Sequence, residues 1–95
     1  MSAKKHFALD IDNIPNVIDE FFSSNTQIHY EIRHSNEKGL VLRIEKGTSN
    51  GFLNLFYSRG LVSYSVQGRM KEKAEECWEY IKRHTALPNT EHKTR

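Results

Sequence analysis

The sequence predicts an α+β fold: four antiparallel strands, or five if a short extended lead-in joins the sheet, with two helices packed on one face. Three observations lead there. Apolar residues recur at helical spacing near each end of the chain, four segments between them alternate apolar with polar residues, and each link between those segments is a short turn. Short turns make sequential strands antiparallel neighbours.

The lead-in, residues 1–12, contains "HFALDI", a short extended segment. In "NIPNVIDEFFSS" the residues Ile14, Val17, Ile18, Phe21 and Phe22 fall on one helical face, Pro15 suits the first turn, and Asp12 or Asn13 is placed to cap it. From Thr26, "TQIHYEIRH" sets Ile28, Tyr30 and Ile32 on one side and His29, Glu31 and Arg33 on the other. The turn "SNEKG" leads to "LVLRIEK", where Leu40, Leu42 and Ile44 share a face, and the turn "GTSNG" follows. In "FLNLFYSRGLVSYSVQG" a two-residue loop at Arg59-Gly60 sets Tyr57 opposite Val62, Leu55 opposite Tyr64 and Leu53 opposite Val66. One face of that hairpin is therefore uniformly apolar. The last element, "RMKEKAEECWEYIKRHT", lines up Met70, Ala74, Cys77, Trp78 and Ile81, with Lys and Glu filling most of the other positions. Leu87 and Pro88 end the pattern, so one domain spans residues 13–85 and residues 86–95 form a polar tail.

Two helices with one apolar stripe each must cover the apolar side of a single meander, which leaves the other side of the sheet facing water. That open face should display His29, Arg33, Val41, Arg43, Phe52, Asn54, Phe56, Ser58, Ser63, Ser65 and Gln67. Phe52 and Phe56 offer flat surface for stacking, while Asn54, Gln67, Ser63 and Ser65 can hydrogen-bond base edges and Arg33 and Arg43 can meet phosphate. A protein partner is the other way to bury the same patch.

Composition narrows the alternatives. A chain of 95 residues holds one core and leaves no room for a separate catalytic domain. A formal charge of +2 is too small to hold nucleic acid by charge alone. No signal peptide or membrane span is legible, which points to a cytoplasmic protein. The lone Cys77 sits on an apolar helix face as a small buried hydrophobe. The five histidines are scattered, and one cysteine makes no zinc spacing. Asp10 and Asp12 belong at the start of the first helix. With no phosphate-cradling Gly-rich loop and no nucleophile elbow, the expectation is a binding module without catalytic residues, metal or cofactor.

The run "LNLFYSRGLVSYSVQGRMKEKAEECWEYI" resembles the strand, turn, strand, "QG", helix segment of TATA-binding-protein-like domains, as found at the front of ribonuclease HIII and of the bacterial RNase LS toxins. Tyr57-Ser58-Arg59-Gly60 matches the "YxRG" turn and Gln67-Gly68 the "QG", while "FALDIDNIPNVIDEFF" is similar to the first helix region of the RNase LS toxins. The resemblance implies an antiparallel sheet with both helices on one side and an open face that in several relatives binds nucleic acid. By position it points to Arg43, Asn54, Phe56, Ser63 and Ser65. TATA-binding protein has two such repeats in one chain, so a saddle built from this unit requires a homodimer. The nuclease signature of the RNase LS toxins, an arginine and a histidine a few residues apart on a helix, is missing, so any shared role is binding, or association with a toxin-antitoxin or phage-defence component.

The helix start "GRMKEKAEE" is also similar to the double-stranded-RNA-binding domain, in which Lys71 and Lys73 would reach phosphates. The fourth strand is surplus to that fold, and Glu72, Glu75 and Glu76 interrupt the basic surface. The leading expectation is nucleic-acid binding through the open sheet, and the alternative is protein docking on the same face.

Overall fold

The computed structural model describes residues 5–87. The elements are β1 (Phe7–Ala8), a 3-10 turn (Ile11–Asn13), α1 (Ile14–Phe22), β2 (His29–Asn36), β3 (Gly39–Lys46), β4 (Ser49–Ser58), β5 (Leu61–Gly68) and α2 (Lys71–Thr85). They form one five-stranded antiparallel sheet in the order β1-β5-β4-β3-β2, with the helices against one side. The lead-in does join the sheet, pairing Phe7 with Val62 and Ala8 with Leu61. A bridge from Leu9 to Ala86 and the hydrogen bond from the Asp10 N–H to the Thr85 carbonyl (2.7 Å) tie it to the end of α2. The tail from Pro88 onward lies outside the described residues.

The core is the apolar half of the alternation. Leu40, Leu42 and Ile44 from β3, Leu53 and Leu55 from β4 and Val62 from β5 are buried, beneath Ile14, Val17, Ile18 and Phe22 of α1 and Ala74, Cys77, Trp78 and Ile81 of α2. Aromatic rings knit the layers. Phe22 stacks on Tyr30 at 4.6 Å, Phe21 meets Tyr80 of α2 at 5.2 Å, and Trp78 stacks on Tyr64 at 4.6 Å and meets Phe7 edge-on at 5.6 Å. The Tyr30 hydroxyl donates to Asp19 Oδ1 at 2.7 Å, fastening α1 to the outer strand.

Three local expectations are adjusted. The strand expected from Thr26 begins at His29, because the Ile28 N–H turns back to the Asn25 carbonyl (3.2 Å) before the chain extends. The turn expected over five residues at "GTSNG" closes over Gly47-Thr48 alone, where Gly47 supplies φ +63 and lets Ser49, Asn50 and Gly51 enter β4. Asn13 occupies the N-cap of α1 but makes no side-chain cap bond: its backbone is already helical, and its Oδ1 accepts from Asn16 Nδ2 at 3.2 Å instead.

Burial also sets two titrations. It pushes the Cys77 thiol from 9.0 up to about 12, against a smaller opposing pull from Lys73, and it pushes the Tyr57 hydroxyl from 10.0 up to about 12. Both groups stay neutral in the folded chain while the unfolded chain ionises. Their contribution to stability is therefore complete below about pH 9, declines as the unfolded forms titrate, and is lost as pH rises through about 12. The urea midpoint should fall steadily across that window, and a midpoint flat from pH 9 to 12 would place both groups in water. At neutral pH, Cys77 should ignore a thiol reagent until the chain unfolds.

Candidate interaction face

The face away from the helices is assembled in rows by the strand register. One row runs Glu31, Arg43, Phe52, Gln67; the next runs Arg33, Val41, Asn54, Ser65; a third sets Gly39, Phe56 and Ser63 side by side; the last joins Ser58, Leu61 and Ala8. The pairing across Arg59-Gly60 is the one the alternation predicts, with both loop residues at positive φ, as a twist-matched two-residue hairpin requires. All the residues expected on this face from β2 to β5 thus project to one side.

Their environments differ. Phe56 is 44 % exposed and Leu61 38 %, the two large apolar side chains the sheet offers to solvent among the described residues. Phe52, Val41, Asn54 and Ser65 are half-buried, and Asn54 Nδ2 donates to Ser65 Oγ at 3.4 Å, so part of their hydrogen-bonding capacity is spent within the sheet. Ser63 departs from the expectation of a displayed hydroxyl: it projects to the open side by register but is only 4 % exposed. Gln67 is exposed at the far end of β5.

Each arginine has a carboxylate neighbour on its own strand, close for Arg43 and at long range for Arg33. Arg43 donates to Glu45 Oε1 at 2.6 Å, and Arg33 approaches Glu31 at 3.9 Å; each pair lies two residues apart on one strand and therefore on one face. The open face consequently carries two arginines and two glutamates, with Glu31 opposite Arg43, and their charges balance. Lys71 and Lys73 belong to the helical layer on the other side of the sheet, where Lys73 pairs with Glu76 at 2.8 Å and reaches over the Phe21 ring at 5.9 Å. They do not share a surface with the open-face residues.

The alternation across Arg59-Gly60 also sets Leu61 with Ser58 on this second face, and the register agrees. One feature escaped sequence reasoning. A shallow groove beside Phe56 is lined by His34, Asn36, Lys38, Gly39, Val41 and Asn54. It exists because β2 bulges between Arg33 and Asn36, with His34 at φ +52, a shift that strict alternation cannot reveal. The Asn36 side chain then accepts the Lys38 N–H at 2.7 Å and shapes the hairpin end.

Among the described residues, no three His, Cys, Asp or Glu side chains are grouped to hold a metal ion, and no helix is long and apolar enough to cross a membrane. No curated protein and no solved structure matches the chain. A family model does match, that of the RNase LS bacterial toxin N-terminal region, over residues 4–81, from the lead-in through all five strands and into α2 as far as Ile81. The chain belongs to the family of RNase LS bacterial toxin N-terminal domains and is a toxin-related α+β module.

Proposed function

We propose that the chain is a non-catalytic docking module of an RNase LS-type toxin system, acting in the cytoplasm, and that its open sheet face holds a protein partner from that system. The observation behind this reading is the pairing of exposed apolar surface with balanced charge. Phe52, Val41, Phe56 and Leu61 put one apolar side chain in each of the four rows, and each arginine that a phosphate would need has a glutamate beside it on its own strand. Depleted net charge around aromatic surface suits the core of a protein interface, whereas a nucleic-acid face gains most of its affinity from unpaired cations. An antiparallel meander with both helices on one side also supports taking the fold as a single TATA-binding-protein-like unit.

Phe56→Ala tests the reading. With 44 % of the residue already exposed, the change should leave the thermal midpoint nearly unmoved. Co-elution with the remaining toxin segments or with the cognate antitoxin should weaken by about 2 kcal/mol or more if the ring is an anchor. Single-stranded RNA and duplex DNA at low salt should bind poorly. Tight oligonucleotide binding that weakens with salt, at a log-log slope of about −0.7 per contact on single strands, would instead make the face a nucleic-acid reader and overturn the proposal.

A further inference from the structure

We infer that β2 is a self-complementary edge through which two copies of the chain join their sheets, in a register centred on Ile32. Among the described residues β2 pairs only with β3, so its other edge has no strand neighbour. Which of its backbone groups face that edge follows from the hairpins. The two-residue turn at Gly47-Thr48 closes on Lys46 and Ser49 as a hydrogen-bonded pair; alternation then aims Ile44, Leu42 and Leu40 at β4, and Glu45, Arg43 and Val41 at β2. Opposite those three stand His29, Glu31 and Arg33, which therefore bond inward. Tyr30 and Ile32 turn their N–H and C=O groups outward.

Two-fold antiparallel pairing must set outward-bonding residues against each other, which leaves three registers. Centred on Glu31, the two copies oppose like charges, Glu31 against Glu31. Centred on Tyr30, Glu31 faces only His29, and Arg33 faces Gln27. Centred on Ile32, Glu31 of one copy faces Arg33 of the other, twice over, while the two Ile32 side chains, half-buried on the helix side, meet and cover each other. Opposite charges directly across a strand pair stabilise it and like charges oppose it, so the third register is preferred. This charge pattern is also the reverse of edge protection. An edge guarded by one sign of charge repels its own copy in every register, whereas Glu31 and Arg33 attract theirs. The bulge after Arg33 bends the edge and confines pairing to a short segment, so the association is weak and concentration-dependent. In such a dimer both open faces lie on the same side of one continuous sheet.

Glu31 and Arg33 are solvent-exposed, with side chains 62 % and 46 % accessible, so charge reversal leaves the core intact. Sedimentation equilibrium over about 10 μM to about 1 mM reads the association across the weak-binding range. The wild type should self-associate, and Glu31→Arg and Arg33→Glu should each weaken that by at least about tenfold, the equivalent of ~1.4 kcal/mol. An equimolar mixture of the two variants should recover it, because each then meets its complement across the edge. The Tyr30-centred register predicts no such recovery, and the Glu31-centred one, which opposes two glutamates in the wild type, predicts no weakening by either variant alone. A wild type monomeric throughout, variants that associate unchanged, or a mixture that stays monomeric would overturn the inference.

Discussion

Trp78→Ala should lower the unfolding free energy by about 3–5 kcal/mol, the usual cost of emptying a large aromatic site in a core. Trp78 is wholly buried, and its ring is contacted on several sides: Tyr64 of β5 stacks at 4.6 Å, Phe7 of β1 meets it edge-on at 5.6 Å, and the Lys82 ammonium lies 5.8 Å from the ring centroid. One side chain thus joins α2 to the lead-in strand and to the sheet. A domain of 95 residues has about 5–14 kcal/mol of total stability at the usual value per residue, so the loss is a large fraction of the whole. Urea unfolding followed by circular dichroism measures it. The indole Nε1 has no hydrogen-bond partner among the described residues, so Trp78→Phe, which removes that donor and keeps a ring, should cost clearly less than the alanine change. In the native protein Trp78 fluorescence should be that of an indole away from water. A water-exposed emission maximum, or an alanine cost under about 1 kcal/mol, would put the wrong face of α2 against the sheet.

Most of this architecture is legible in the sequence because period is a strong signal. The alternation through Leu53, Leu55, Val62 and Tyr64 determines both the pairing across Arg59-Gly60 and the side that meets the helices. A one-residue slip would invert every side chain on two strands, so few registers compete. The helix stripes are equally plain, since Val17, Ile18 and Phe22 in α1 and Ala74, Cys77, Trp78 and Ile81 in α2 recur at the spacing of one face. What pattern cannot convey is how a position is used once it faces solvent. Ser63 and Ser65 look alike in sequence, yet one is buried and the other half-buried and bonded to Asn54. Arg33 and Arg43 look alike in sequence, yet Glu45 holds Arg43 at 2.6 Å while Glu31 stands 3.9 Å from Arg33, each two residues away on the same strand. That neighbour relation follows from strand geometry and was available in advance; the bulge at His34 and the groove it opens were not.

Gly39→Ala should destabilise the domain by about 3 kcal/mol or more, far beyond the cost of the same change at Gly47, because two penalties meet at one site. Gly39 adopts φ +149, a conformation L side chains rarely take, and a Cβ built there would sit 2.0 Å from the Leu55 carbonyl oxygen and 3.3 Å from the Phe56 Cα. Both obstacles are backbone, so no rotamer change relieves them. The strands β3 and β4 would have to part where the Tyr57 N–H donates to the Lys38 carbonyl at 2.9 Å. At Gly47 the strain is of φ alone: it sits at φ +63 with nothing within 4 Å of its Cβ position, so alanine should cost about 1–2 kcal/mol there. The comparison separates close approach from backbone conformation. It also bears on function, since Gly39 faces Phe56 and lines the groove beside it. A Gly39→Ala protein that still folds at low temperature should therefore dock its partner more weakly than its remaining stability alone accounts for. Equal costs at Gly39 and Gly47 in urea unfolding would mean that β3 and β4 do not approach as closely here as the register requires.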